Sequence, residues 1–390
     1  MISRSEIKET LDKYYTEPGK IKIGTIASHS GLDICDGAAE EGFRTVAFCR
    51  AGREKTYSQY FRAQRDASGN LLRGIVDDAR IYQKFDEILR PEEQQKLLDD
   101  SVLMVPNRSF TSYCSIDDIE NDFRIPLVGT RSMLRSEERS EAQSYYWILE
   151  KAGLPFPEKI EDPKDINELV IVKLPHAVKT LERGFFTASS YKEYTEKSQT
   201  LLKQGVITED GLASARIERY IIGPVFNFDM FWSPVEAACG SMSPLELLGI
   251  DWRFETSLDG HTRLTAAQQL SLNEAQFVPE MTVCGHNSAT LRESLLEKVF
   301  EMGEKFVKAS QEHYGPGIIG PFCLQTCVDK DLNFYIYDVA PRVGGGTNVH
   351  MSVGHPYGNT LWRKPMSTGR RVAMEVRRAI ETENLDKIVT

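Results

Sequence analysis

Gln325, Asp338, Arg342 and Asn348 fall in one short stretch, and their types suit phosphoryl chemistry. Gln325 ends the apolar run Gly320-Pro321-Phe322-Cys323-Leu324-Gln325, and Asp338 ends a second, Phe334-Tyr335-Ile336-Tyr337-Asp338. The polar segment Asp329-Lys330-Asp331 between them has hairpin length, so the spacing predicts two strands with one oxygen ligand on each. Hard divalent cations that bridge phosphates need a few such oxygens on rigid strands, and a transferring phosphoryl group needs positive charge beside it. Arg342 supplies a guanidinium, Gly344-Gly345-Gly346 permits close backbone approach, and Asn348 adds an amide. An acidic strand end followed by arginine and three glycines has little purely structural rationale.

Lys173 sits in the otherwise apolar Val170-Ile171-Val172-Lys173-Leu174. A buried ammonium is costly unless paired, so it either snorkels to the surface or reaches a cleft and meets a carboxylate or phosphate. Glu218-Arg219-Tyr220-Ile221 precedes Gly223-Pro224 at a predicted strand end, where backbone donors and acceptors can meet a base edge. His29, between Ser28 and Ser30 after the first predicted strand, is a ligand candidate or a structural histidine. Asn107-Arg108-Ser109 repeats that pattern after another strand, and Arg108 reads equally as a solvated loop charge. Cys323 and Cys327 lie in an apolar run with no second pair at zinc spacing, which favours core packing over metal.

The elements that must position these residues open as a βαβ unit. Residues 22–27 read as a strand, a helical pattern runs through Leu32, Cys35, Ala38 and Ala39, and Phe43–Phe48 forms the next strand. A ligand site belongs at the loop after the first strand; without G-x-G-x-x-G there, dinucleotide binding is not supported. Further strands are expected at 102–106 and 125–129, with helices at 86–99, 116–122 and 132–152. Pro155-Phe156-Pro157 punctuates the chain, after which strands at 170–174, 184–188 and 216–222 flank a helix near 190–204. Strands dominate from 225 to 265, and helices follow at 290–312 and 368–384. The pattern is an α/β front followed by an α+β body.

At 390 residues the chain exceeds one ordinary core. Its 41% hydrophobic and 27% charged residues describe a soluble globular protein, and the formal charge of −10 argues against a nucleic-acid partner. No apolar run approaches the roughly 20 residues that span a bilayer, and the N-terminal residues lack a signal-peptide core. Seven scattered cysteines read as reduced thiols of a cytoplasmic protein with no membrane partner.

Taken in order, these segments resemble a known family. The Ala-Ser-His-Ser at 27–30, Ile171-Val172-Lys173, Glu218-Arg219-Tyr220-Ile221, Leu291-Arg292-Glu293-Ser294-Leu295 and Gly320–Gln325 are similar to the archaeal PurP family of ATP-grasp ligases. So are Asp338-x3-Arg342-Val343, Gly345-Gly346-Thr347-Asn348 and Ser367-Thr368-Gly369-Arg370-Arg371, and the similarity runs from end to end. Members are formate-dependent 5-formaminoimidazole-4-carboxamide ribonucleotide (FAICAR) synthetases of purine (IMP) biosynthesis. The resemblance implies an ATP-grasp fold, α/β and α+β, with an N-terminal doubly wound preATP-grasp-like domain over 1–125. The ATP-grasp domain would span 126–390, with a lid at 155–225 and a catalytic subdomain at 226–390. In the family reaction ATP phosphorylates formate, and the amine of aminoimidazole carboxamide ribonucleotide (AICAR) attacks formyl phosphate. By resemblance His29, Ser109, His286 and Asn348 lie on the ribonucleotide side. Lys173, Glu218, Arg219, Tyr220, Ile221 and Glu255 would hold ATP, Gln325 and Asp338 would bind magnesium or manganese, and Arg342 would stabilise the transferring phosphoryl group. Formate, AICAR and ATP are the implied partners, and a homo-oligomer the implied assembly.

The chain departs from the family at four places. Where the family has a glycine-rich stretch over the phosphates, this chain has Pro175-His176-Ala177-Val178-Lys179-Thr180-Leu181-Glu182-Arg183-Gly184. Side chains there limit backbone approach to phosphate, although Lys179 or Arg183 can substitute electrostatically. Trp147 stands for an ATP-binding lysine, Asp338 for a glutamate, and His286 for a substrate-contacting asparagine. Three readings follow: an active FAICAR synthetase with a rebuilt nucleotide clamp, a paralogous ligase for another carboxylate and amine, or a catalytically silent ribonucleotide-binding homologue.

Overall fold

The apolar run at Lys22 forms β1 (Lys22–Ile26), paired in parallel with β2 (Arg44–Arg50). β2 pairs with β3 (Asp78–Tyr82), and the other edge of β1 takes β4 (Val102–Met104), also in parallel. The computed structural model describes residues 1–174, 185–240, 243–274 and 282–390. A parallel sheet covered on both faces needs continuous apolar strands, and Val46-Ala47-Phe48-Cys49 is fully buried. The order β3-β2-β1-β4 reverses direction at β1. Such a switch point leaves a crevice at the strand C-termini, and the segments leaving β1 and β4 are those carrying His29 and Ser109. Two helices start there, α1 (Gly31–Glu40) and α2 (Arg108–Tyr113).

Some expected elements are shorter or broken, each for a visible reason. The segment 125–129 makes isolated bridges, Met104 to Leu127 and Val128 to Val389, rather than a strand, since Pro126 lacks an N–H for the ladder. The helix expected over 86–99 divides at Pro91 into a 3-10 turn, Phe85–Leu89, and a helix, Pro91–Asp99. The helix expected over 132–152 divides into a 3-10 segment, Arg131–Glu137, and α3 (Tyr145–Lys151). There tertiary bonding overrides propensity: buried Arg131 donates to the carbonyls of Ile119, Phe123, Ile125 and Thr390.

A second, antiparallel sheet contains β5 (Lys159–Ile160), β6 (Val170–Lys173), β7 (Phe185–Ala188) and β8 (Arg216–Arg219), in the order β5-β8-β6-β7. Its core of Val170, Val172, Phe186 and Ile217 is small, and α4 (Tyr191–Lys203) lies against it. The third sheet contains β9 (Val225–Trp232), β10 (Leu245–Glu255), β11 (Val283–Ser288), β12 (Gly320–Val328) and β13 (Phe334–Ala340). All its pairs are antiparallel, in the order β11-β10-β9-β12-β13. The expected hairpin joins β12 to β13: Asp329 Oδ1 accepts from the N–H groups of Asp331 and Asn333, each at 2.9 Å. On one face α5 (Leu296–His313) buries Val299, Met302 and Phe306, with Phe306 stacked on Phe322 at 5.2 Å.

The long helix near the chain's end, α6 (Thr368–Glu381), returns to the first unit and packs on α1. The approach depends on glycine: a Cβ at Gly37 would lie 2.0 Å from the Arg370 nitrogen, and one at Gly369 2.0 Å from the Asp33 carbonyl oxygen. The chain end continues that contact, Leu127 and Thr390 exchanging both backbone hydrogen bonds at 3.0 and 2.9 Å.

Candidate active site

Period-two alternation puts one row of polar side chains across the third sheet. Ser288 on β11 faces Asp251 on β10, which faces Asn227 on β9, then Gln325 on β12 and Asp338 on β13. Directly opposed residues share a face, so the two expected metal ligands stand side by side on neighbouring strands. Asp251 Oδ1 is 2.8 Å from Asn227 Nδ2 and 2.6 Å from His286 Nδ1. The Arg253 guanidinium donates to Gln325 Oε1.

Cations crowd this row. Burial works against charge on Arg108, Arg139 and Arg253, yet all three are held above the ordinary arginine value. The foremost raising neighbour is Glu137 for Arg108, Tyr145 for Arg139 and Tyr337 for Arg253, and Asp338 contributes to all three. Arg342, 5% exposed, donates to Glu137 and, at 2.9 Å, to the Val343 carbonyl; Glu137 also lies 3.2 Å from Arg108. A carboxyl–amide oxygen pair ringed by guanidiniums can accept a metal-bound polyphosphate and neutralise charge that grows on it.

The glycine run sets the acceptor side. A Cβ at Gly344 would stand 2.6 Å from Asp229 Oδ1, at Gly345 2.9 Å from His29 Cε1, and at Gly346 2.2 Å from Asp251 Oδ1. Each of the three therefore has its own steric reason, and the run lies on two carboxylates and an imidazole. Asn348 fastens it to the first unit, its Nδ2 donating to the His29 carbonyl at 2.8 Å and its Oδ1 accepting from the Asp33 N–H at 3.1 Å. Ser30 Oγ donates to the Gly344 carbonyl. His29 is held at φ 53° with a solvent-facing edge. Surrounding protein and then the Arg342 charge push its pKa down to about 4, which favours a neutral ring. Ser109 is in the first turn of α2, where Asn107 accepts from its N–H at 3.0 Å, while Asn107 Nδ2 donates to the Ile26 and Ser28 carbonyls.

On the opposite side Lys173 takes the cleft alternative. Its ammonium is 2.6 Å from Glu218, 3.0 Å from Tyr146 Oη and 3.3 Å from the Tyr337 carbonyl. Burial lowers the Lys173 pKa, partly offset by Glu218. Burial also acts on Glu218, but the Lys173 and Arg216 charges prevail and hold its carboxyl below the usual range. Glu218 to Ile221 do not act as one block, because strand alternation separates them. Glu218 turns inward to Lys173, whereas Arg219 faces out and pairs with Glu168 at 3.0 Å. Tyr220 and Ile221 lie beyond the strand end, and Tyr220 feels the Glu255 charge, which brings those two expected residues together. Trp147 packs away from the cleft, 5.0 Å from the His313 ring, so its neighbour Tyr146 is the α3 side chain that meets Lys173. The expected changes at 175–184, with Lys179 and Arg183, lie outside the described residues.

Sequence reasoning does not single out Glu137, Arg139, Asp229, Asp251 or Arg253. Asp229 and Asp251 carry the signal that flagged Lys173, a charge inside an apolar strand. Glu137 and Arg139 carry none, lying in a segment expected to be helical. Among the described residues no three His, Cys, Asp or Glu side chains cluster as a metal cage. Gln325 and Asp338 nonetheless fit magnesium, which takes one or two protein oxygens and completes its shell with water and phosphate.

The chain matches the family described as "Domain of unknown function (DUF1297)" over residues 193–390 and "Protein of unknown function (DUF1246)" over 23–160. It is 38% identical, over the full length of both chains, to 5-formaminoimidazole-4-carboxamide-1-(beta)-D-ribofuranosyl 5'-monophosphate synthetase of Methanocaldococcus jannaschii. Against the protein of that name from Methanopyrus kandleri it is 38% identical, again with complete coverage of both. Among solved structures it is similar to the IMP biosynthesis protein PurP of Thermococcus kodakaraensis, with a TM-score of 0.68, 29% identity and coverage of 94% of this chain and 100% of that one. The ADP complex of purK, N5-carboxyaminoimidazole ribonucleotide synthetase, matches at a TM-score of 0.57 and 11% identity, covering 90% and 78%, a likeness of fold alone. The expected architecture holds: an ATP-grasp body behind a doubly wound α/β unit. Full-length identity and shared fold together show that the chain belongs to the PurP family of 5-formaminoimidazole-4-carboxamide ribonucleotide synthetases.

Proposed function

We propose that this protein is an ATP-dependent carbon–nitrogen ligase that joins formate to the amine of AICAR, releasing FAICAR, ADP and phosphate in IMP biosynthesis. The observation that carries the reading is the set of guanidiniums around Gln325 and Asp338, next to the glycine run that packs on His29 at the switch point of the parallel sheet. ATP binds against Lys173 and the strand end at Glu218–Ile221, with Glu255 near Tyr220. Gln325 and Asp338 would hold magnesium or manganese, whose charge would screen the phosphates. Arg342 stabilises the charge that develops as the γ-phosphoryl group passes to formate, and Glu137 fixes its orientation. The ribonucleotide occupies the side bearing His29, Ser109, His286 and Asn348. Asn348 acts there through the loop it holds, because both ends of its amide are engaged.

A preATP-grasp-like domain at 1–125 and an ATP-grasp domain at 126–390, with a lid at 155–225 and a catalytic subdomain at 226–390, belong to this reading. A cytoplasmic homo-oligomer with small-molecule partners and no nucleic acid or membrane also belongs to it. The seven free cysteines agree with a reducing compartment, and no helix among the described residues is long and apolar enough to cross a membrane.

An ADP-release assay with magnesium and formate, with and without AICAR, tests the function. Product-coupled ADP only when both are present is the expected result. ADP with a different acid or amine would replace it with a paralogous ligase. Tight ribonucleotide binding without ADP would make the chain a silent homologue.

A further inference from the structure

The His286 imidazole is held in an arrangement that the position does not need merely to touch a substrate. Its Nδ1 lies 2.6 Å from Asp251 Oδ1, and that oxygen already accepts from Asn227 Nδ2 at 2.8 Å. An acceptor oxygen so engaged selects the tautomer with the proton on Nδ1, leaving the Nε2 lone pair available. Asp251 is fully buried, and its other oxygen has no hydrogen-bond partner among the described residues. Beside it, Asp229 is also buried with neither oxygen partnered at hydrogen-bond geometry, and burial followed by the Asp251 charge pushes its pKa well up. Two carboxyls this close resist joint ionisation, which together with burial favours the proton on Asp229.

The imidazole itself is not sealed off. The His286 side chain is 18% exposed, on the sheet face that carries Asp251 and Gln325. It stands directly across the ladder from Arg253, whose guanidinium reaches Gln325. A tautomer-fixed imidazole thus lies on the sheet face that carries Gln325 and Asp338, beside the Arg253 guanidinium.

We propose that His286 and Asp251 form a general-base dyad for the amine-transfer half of the reaction, with His286 the catalytic residue and Asp251 the positioning residue. This rests on the function proposed above. The amine lone pair forms the C–N bond to the acyl carbon of formyl phosphate. The C–O bond to phosphorus-bound oxygen breaks, and phosphate leaves with that electron pair. The nitrogen surrenders one proton to His286 Nε2, Asp251 steadies the resulting imidazolium, and the proton then passes to solvent. In this chain the histidine therefore does more than bind: it removes the proton that makes the addition irreversible.

The test uses the full-length protein with ATP, magnesium, formate and AICAR, and compares wild type with His286→Ala, His286→Gln and Asp251→Asn. His286→Gln keeps a donor for Asp251 while removing the base, which guards against a folding artefact. The dyad predicts a fall in kcat of about 10²–10⁴-fold for both His286 variants, with KM for AICAR little changed. Formate-dependent exchange of the β,γ-bridging oxygen of ATP, which reports formyl phosphate formation, stays at the wild-type rate. Added imidazole restores turnover to His286→Ala, and Asp251→Asn lowers kcat by a smaller factor. Wild-type turnover in the His286 variants, or a loss carried by KM alone, would overturn the dyad. Absence of formate-dependent ADP or oxygen exchange in the wild type would instead overturn the underlying function, so the two failures are distinct.

Discussion

Gly346 lies so close over Asp251 that a Cβ there would stand 2.2 Å from Oδ1 and 2.5 Å from Oδ2. The carboxylate cannot retreat, because Oδ1 is bound by Asn227 and His286, and the helical turn Thr347–His350 follows the glycine directly. Gly346→Ala is expected to lose about 1–3 kcal/mol of stability through overpacking and to lose ligase activity as well. Gly260→Ala, with no atom within 4 Å of the added Cβ, is the control and should be neutral or slightly stabilising. Urea unfolding and ADP release measure both; equal behaviour of the two variants would show that the close approach is unimportant.

Asp338 and Gln325 face each other across β12 and β13, so removing one carboxylate leaves the strands paired. Asp338→Ala should abolish ATP turnover while the circular dichroism spectrum and unfolding midpoint change little. Gln325→Ala should shift the magnesium dependence of ADP release to higher concentration. Persistence of turnover in Asp338→Ala with magnesium present would remove it from the metal site.

Arg342 and Glu137 are a buried pair with little exposure on either side. Arg342→Lys keeps the charge but not the planar fork, and a loss of about 10²–10³-fold in kcat is expected with little loss of stability. Arg342→Ala removes one of the cations paired with buried Glu137, and a further stability loss approaching about 3 kcal/mol is expected. If Lys restores full activity, point charge rather than geometry is what the site uses.

Asp229 gives a pH signature of its own. Its folded-state pKa lies well above the unfolded value near 4, so above that pH the folded state holds a proton that the unfolded chain has released. Its contribution to stability is complete below about pH 4 and declines as pH rises toward the folded pKa. Asp229→Asn cannot titrate, and its stability relative to wild type should therefore increase steadily with pH from about 4 upward. Unfolding free energies across that range decide the matter, and a pH-independent difference would mean that Asp229 ionises in the folded protein as it does in the unfolded chain.

Buried His350 differs in sign. Burial, then the His355 charge, lowers its pKa to about 4, so between about pH 4 and 6.5 the unfolded chain binds the extra proton. Stability contributed by this site is present above about 6.5 and is lost as pH falls to 4. His350→Gln should flatten that part of the profile; an unchanged acid slope would assign it to other groups.

Much of the site was legible because catalytic strands are apolar runs, and a polar residue inside one is conspicuous. Lys173, Gln325 and Asp338 stood out this way, and the turn between β12 and β13 set the strands of Gln325 and Asp338 against each other. Asp229 and Asp251 carried that same mark, but long strands with a bulge between Asp229 and Met230 do not declare their register. Glu137 and Arg139 were hidden because buried Arg131 and the Arg342 contact pull their segment out of the helix that its local pattern favours.

Local periodicity and residue chemistry by themselves determined that this chain has an α/β front opening on a βαβ unit, an α+β body and a phosphate-handling segment near its C-terminus. Those signals act over one turn or one strand, so they survive in the sequence. Partner choice does not: a carboxylate finds its guanidinium across hundreds of residues, as Arg342 finds Glu137 and Asn348 finds the His29 carbonyl. Only the tertiary structure decided that Glu218 serves Lys173, that Tyr146 rather than Trp147 faces it, and that three successive glycines rest on Asp229, His29 and Asp251. The reason is steric and electrostatic together: each contact exists because long-range packing desolvates the groups and brings their partners within reach.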